Sequence, residues 1–147
     1  MKIKVDILRR IAENGGVMIN IKEGCFEGER ALFSTRGAII ENSMFQNGES
    51  PLKESSELVV KGCIFAWKYP LRYCNDVKVE NTTLLEGARS GIWYTHGIEI
   101  TDSVIEAPKT FRRSSGITLR RVNMPKAQET LWHCRDIVFT VSGSHGQ

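Results

Sequence analysis

A period of about twenty residues governs this chain. Leu32, Leu52, Leu71, Ile92, Phe111 and Leu131 recur at steps of 20, 19, 21, 19 and 20. Spacing this regular marks supersecondary units stacked one on the next. Columns at fixed offsets from these anchors agree. Three residues on stand Thr35, Ser55, Cys74, Thr95, Ser114 and Cys134, all small enough to point inward where the backbone bends. Six and eight residues on stand Ala38/Ile40, Leu58/Val60, Val77/Val79, Ile98/Ile100, Ile117/Leu119 and Ile137/Phe139. Inward pairs two apart, between mostly polar neighbours, are strands with one buried face. Eleven and thirteen on, Ser43/Phe45, Cys63/Phe65, Thr82/Leu84, Ser103/Ile105 and Val122/Met124 make a second inward pair after a further bend.

Helical repeats of this length would need apolar spacings of three and four, with fewer β-branched residues. A leucine-rich repeat would place an inward Asn at a fixed offset, and no such column exists. The expected fold is therefore all-β: a right-handed parallel β-helix, a single-stranded solenoid of about seven rungs spaced about 4.8 Å apart. Residues 17–147 form this domain and residues 1–16 a capping segment. In that segment Ile7, Leu8 and Ile11 share one helical face, with Asp6 as N-cap and Gly15-Gly16 as the stop. Such a helix would cover the first rung's core and unpaired edges. Val17 to Ile21 reads as the first strand, and Gly24-Cys25-Phe26 completes an irregular first rung. At the other end the pattern dissolves after Phe139, and the last rung is expected to be uncapped: either two copies stack end to end, or this is a shortened version of a longer coil.

Composition excludes more than it assigns. Lys and Arg outnumber Asp and Glu by 20 to 17, a net charge of +3, too slight an excess to point to nucleic acid. The first ten residues lack the unbroken apolar core of a signal peptide, and no stretch is long enough to span a membrane. The expected compartment is the cytoplasm. Cys74 and Cys134 share a column three rungs apart, roughly 14 Å and too far to bridge. Cys25 and Cys63 fall near another inward column, and the four thiols read as reduced core fillers. No Cys-x-x-Cys occurs and the three histidines are scattered, so no metal or other cofactor is assigned. Met18, Met44 and Met124 read as packing residues or strand faces.

One surface concentrates the chemistry. One position after each anchor come Phe33, Lys53, Arg72, Trp93, Arg112 and Trp132; beside them lie Ser34, Glu54, Tyr73, Tyr94, Arg113 and His133. The preceding turns add Glu29, Glu49, Lys68, Arg89, Lys109 and Glu129. Two readings fit. In one, the face is a groove for an acidic oligosaccharide, with Arg72, Tyr73, Trp93, Tyr94, Arg112 and Trp132 as ligand contacts. Rings stack on pyranoses, and guanidinium groups pair with carboxylate or phosphate. In the other, the face is a ladder of side chains, with Arg112 between Trp93 and Trp132 and Tyr73 on Tyr94. Each cation–π contact in it is worth about 0.5–2 kcal/mol.

Catalysis would need more. Glycoside hydrolysis uses two carboxyls about 5–5.5 Å apart for retention or 6.5–9.5 Å for inversion. The neighbouring-rung pairs are Glu86/Glu106 and Glu29/Glu49, the latter beside Arg30 and Lys53 and so suited to salt bridges. A lyase would use an Arg or Lys base, with calcium neutralising the uronate. Arg72, Arg112 and Arg113 stand where that base would, and His133 where the acid would.

Several runs carry a resemblance to a known family: Gly28 to Phe33, Gly48 to Ser55, Trp67 to Leu71, Ser90 to Tyr94, Ile105 to Arg113 and Glu129 to Trp132. They resemble an uncharacterised bacterial family of right-handed parallel β-helix proteins grouped with the pectin-lyase-like superfamily. The resemblance covers about residues 26 to 139 and matches the N-terminal rungs of members that continue further. It implies the fold and no particular reaction. The functional expectation is thus binding or processing of an acidic oligosaccharide. Any enzyme here would be a polysaccharide lyase or glycoside hydrolase of pectin-lyase-like type, and the rival reading is a non-catalytic, self-assembling structural module or a shortened form of a longer coil.

Overall fold

Each column of inward pairs becomes a stack of strands. The computed structural model describes residues 18–127 and 130–140 of the chain. The six-and-eight column forms β1 (Ile19–Lys22), β3 (Arg36–Glu41), β5 (Ser56–Lys61), β7 (Asn75–Glu80), β10 (His96–Ile105), β12 (Ser115–Asn123) and β13 (Arg135–Thr140). A second side carries β2 (Cys25–Phe26), β4 (Met44–Phe45), β6 (Ile64–Phe65) and β8 (Thr83–Leu84), continued by the end of β10. The third, at the anchors, carries β9 (Ile92–Trp93) and β11 (Phe111–Arg112), extended by a bridge to Trp132. All pairings are parallel. Ala38, Leu58, Val77, Ile98, Ile117 and Ile137 lie in one register line, one residue per rung.

This is a parallel β-solenoid. The seven strands of the first side are joined by six turns, so the expected seven rungs are seven layers but about six full turns. The described residues contain no helix. The capping helix expected over Asp6 to Glu13 lies outside them, as do Val17 and the residues after Thr140. The first strand begins at Ile19, two residues later than its expected start.

The core is a filled cylinder along the axis. Leu32, Leu52, Leu71, Ile92 and Phe111 are buried completely. On the second side Phe26, Phe45 and Phe65 stack with centroids 4.9 and 4.7 Å apart, close to the rung spacing. Two inward columns are polar, and each hydroxyl has work to do. Thr95 Oγ1 accepts the Cys74 amide at 3.2 Å and donates to the Leu71 carbonyl at 2.6 Å. Ser114 does the same for the Thr95 amide and the Ile92 carbonyl; on the second side Thr82 and Ser103 accept the Cys63 and Thr82 amides and donate to the Glu80 and Thr101 carbonyls of their own rungs. Backbone that bends inside a core strands its amides, and these columns satisfy them.

The bends themselves are left-handed backbone. Four columns of positive φ run up the coil, and one complete rung holds them at Tyr69, Tyr73, Asp76 and Asn81. A non-glycine residue held there costs of order 1–3 kcal/mol unless its surroundings fix it. Here they do: the Tyr73 amide donates to Trp93 O at 2.9 Å and the Asn81 amide to Thr101 O at 3.1 Å, each one rung on. At Gly48 the chain passes so close to the preceding rung that a Cβ would run into the Gly28 carbonyl.

All four cysteines are unbridged. Cys25 departs from its expected place: it pairs with Met44, whose neighbour is the exposed Ile64, while Gly24 takes the inward slot and its amide donates to Ser43 Oγ. Burial raises the Cys74 thiol to about 12, and raises Cys63 as well. Very little of the reactive thiolate is then present at pH 8. Alkylation of the native protein at pH 8, followed by mass spectrometry, should therefore spare Cys63 and Cys74 until urea unfolds the coil. Thr95→Val should lower unfolding free energy by about 1–3 kcal/mol in urea titration, because it strands a buried amide and a carbonyl; Thr95→Ser should keep most of it.

Candidate functional site

The third side places the site. Phe111 pairs with Ile92 and Arg112 with Trp93, and the bridge from Arg112 to Trp132 carries the register one rung further. Alternation along these short strands sends Ile92 and Phe111 inward and Trp93 and Arg112 outward. Arg72, Trp93, Arg112 and Trp132 thus stand one above another, as the spacing predicts. Their carbonyls each receive an amide from a left-handed corner, at Glu54, Tyr73, Tyr94 and Arg113. Backbone hydrogen bonds, rather than loop packing, fix this row.

The row has a closed part and an open part. In the closed part the Arg72 guanidinium carbon lies 3.7 Å from the Tyr69 ring centroid and 4.2 Å from that of Trp93, with Arg72 Nε donating to Ser90 O at 3.1 Å. Burial holds the Arg72 pKa below its usual value, against the pull of Tyr69, Tyr73, Tyr94 and Glu49. Arginine starts so high that it stays charged. Tyr73 and Tyr94 stack 4.9 Å apart at 4°, and Lys53 Nζ lies 5.6 Å from the Tyr73 ring. Tyr69 is the member of this cluster that sequence reasoning missed. Its only signal was an aromatic residue in the turn before Pro70.

In the open part the expected sandwich is inverted. Arg112 leans on Trp93 at 5.0 Å, so Trp93 is the ring held between two guanidinium groups, Arg72 from one rung and Arg112 from the next. Trp132 is 52% exposed and meets His133 edge-on at 5.6 Å. Between Trp93 and Trp132 lies a hollow of about 230 Å³ lined also by Lys109, Phe111 and Arg112. The Trp93 indole N–H donates to Lys109 O at 3.4 Å, tying the rim to the ring. Arg112 Nε is buried with no hydrogen-bond partner, an unmet donor on a charged group.

The catalytic candidates are dispersed. Arg113 and His133 are exposed corner residues of the second row. Glu86 is held by Lys126 Nζ at 2.6 Å, which keeps its carboxyl below the usual range, the reverse of what a general acid needs. Ile105 pairs with Leu84, so Glu106 stands opposite Leu85 and out of step with Glu86. Arg30 and Lys53, expected to pair with Glu29 and Glu49, lie instead over the rings of Phe33 and Tyr73. Glu129 lies outside the described residues. Among the described residues no three His, Cys, Asp or Glu side chains converge as a metal site, and no helix is long and apolar enough to cross a membrane.

A second hollow, about 430 Å³, lies on the first side between Glu57, Asp76, Lys78 and Glu99, floored by Gly97 and Gly116. Sequence reasoning overlooked it, although two glycines at one offset in successive rungs were its signal.

The model of a family of proteins of unknown function, DUF3737, matches residues 19–147. The chain belongs to the DUF3737 family. No curated protein matches this DUF3737 chain. Among solved structures it is similar to a provisionally named glycosyl hydrolase from Parabacteroides merdae, with a TM-score of 0.59 at 13% identity, covering 92% of this chain and 86% of that one. It also matches QnrB1, a plasmid-mediated fluoroquinolone resistance protein, with a TM-score of 0.43 at 20% identity over 84% of this chain and 68% of that one. The first likeness supports the coil. The closed part of the DUF3737 row should behave as a stability element: Arg72→Met should cost about 0.5–2 kcal/mol in urea unfolding, since it removes a cation from between two rings.

Proposed function

We propose that this protein binds acidic carbohydrate on the face formed by Trp93, Arg112 and Trp132. The observation that carries the reading is the hollow between the two indoles, where rings, a guanidinium group and Lys109 surround one space. Indole faces take the apolar face of a pyranose, and a guanidinium group pairs with its carboxylate or phosphate. The Parabacteroides neighbour shares only the fold at its level of identity, so the chemistry of this face supports the reading by itself. Turnover of a uronate chain by a lyase or hydrolase would require a base or a carboxyl pair at the hollow. Arg113 and His133 stand nearest in the rung order, and calcium would be the lyase's partner ion. A cytoplasmic setting belongs to this proposal as well.

A glycan array carrying uronate, phosphorylated and neutral sugars checks the reading. Retention should be confined to acidic glycans, and the double change Trp132→Ala with Arg112→Gln should weaken it by at least about tenfold while urea unfolding stays cooperative. Undiminished retention by the double variant would exclude this face.

A second reading, self-assembly, has its own observation. Val138 and Phe139 of β13 are 53% and 59% exposed, and among the described residues β13 pairs with β12 alone. Parallel edges and apolar side chains exposed together are a template for another chain. Sedimentation from about 1 to 100 µM should then show mass rising with concentration; a constant monomer mass would leave carbohydrate binding alone.

A further inference from the structure

We infer that the hollow takes a single acidic pyranose ring at the end of a chain, rather than a length of chain laid along the face. The inference rests on the carbohydrate reading and narrows it. A saccharide lying along the row would need several adjacent free ring faces. The rungs before Trp93 do not offer them. Arg72 fills the space between Tyr69 and Trp93, its Nε is spent on Ser90 O, and Tyr73 is closed against Tyr94 with their planes only 4° apart. A sugar entering that stretch would have to displace cation–π and ring contacts before gaining any of its own.

The contacts run out at Arg112. Its guanidinium group has Trp93 on one side and the hollow towards Trp132 on the other, and its Nε donor is unmet. Trp132 is half exposed, and His133, its one ring neighbour among the described residues, meets it edge-on. The hollow's volume of about 230 Å³ falls below the range of about 300–1,000 Å³ typical of sites for drug-sized ligands. A hollow of this size suits one ring. Trp93 and Trp132 would bracket the pyranose, and Arg112 would turn its guanidinium group from the indole to the acid group at C6. Because Nε is covered in this arrangement, that turn is part of binding, and it gives a buried donor its partner.

Calorimetric titration of the intact chain separates the possibilities. The probes are glucuronate, glucose 6-phosphate, glucose, and β-1,4-linked oligoglucuronates of two and four residues. Glucuronate or glucose 6-phosphate should bind, glucose at least about tenfold more weakly, and the two- and four-residue oligomers within about threefold of glucuronate. Which acid binds more tightly separates a carboxylate ligand from a phosphate one. Trp132→Phe should retain most of the affinity and Trp132→Ala lose it. A tetramer binding more than about tenfold tighter than the monomer would overturn the single-ring inference and leave acidic carbohydrate binding intact. Glucose binding as well as the acids would overturn the acid requirement. Failure of every probe, together with an empty glycan array, would overturn the carbohydrate reading itself; failure of every probe with acidic hits on the array would overturn only the single-ring inference.

Discussion

Everything in this molecule depends on the hydrogen bonds that tie each rung to the next. They act in the strands, where Ala38 to Ile137 run in one line of register. They act equally at the corners, where the amides of Tyr73, Tyr94 and Arg113 reach Trp93, Arg112 and Trp132. A single such bond is worth only about 0.5–1.5 kcal/mol net. Their density is what holds non-glycine residues in left-handed backbone that would be strained in isolation. The buried hydroxyl columns complete the scheme from inside, so that the bends do not leave stranded polar groups. The outward row inherits its geometry from this lattice, which places side chains nineteen to twenty-one residues apart in sequence at about 4.8 Å in space.

Because the row is built this way, its members compete for the same faces. A guanidinium group that satisfies two rings is unavailable to a ligand, and a ring face covered by such a group is closed with it. Arg72 and the Trp93 face it covers meet those descriptions. Arg112 and Trp132 do not, because the next rung brings no further partner to the exposed indole among the described residues. The ladder reading therefore describes the stretch up to Trp93, and the ligand reading remains a proposal for the stretch from Arg112 to Trp132.

What the sequence disclosed follows from where the physics is periodic. The register lines, the inward hydroxyls at Thr95 and Ser114, and the stacking of Tyr73 on Tyr94 all repeat at one-rung spacing, so counting found them. Features set within a rung escaped it. Tyr69 reaches Arg72 because a left-handed turn folds the chain back, a conformation that nothing in Trp67 to Pro70 announces. The offset between Glu86 and Glu106 arises because rungs differ in length by a residue, which slips the turn while the strands stay in register. Cys25 lies one place from its expected column for a similar reason, with Gly24 in the inward slot. The hollows depend on rotamers and on missing side chains, and only the pair Gly97 and Gly116 left a written trace of either.

The left-handed corners have a consequence for how such a protein can change. Among the described residues only five positive-φ positions are glycine; the rest hold arginine, tyrosine, serine, glutamate, aspartate, asparagine, lysine, leucine and histidine. The path of the backbone is thus indifferent to what the corner displays. A coil of this kind behaves as a rack of interchangeable fittings, on which a new surface can be written one rung at a time without redrawing the frame beneath it.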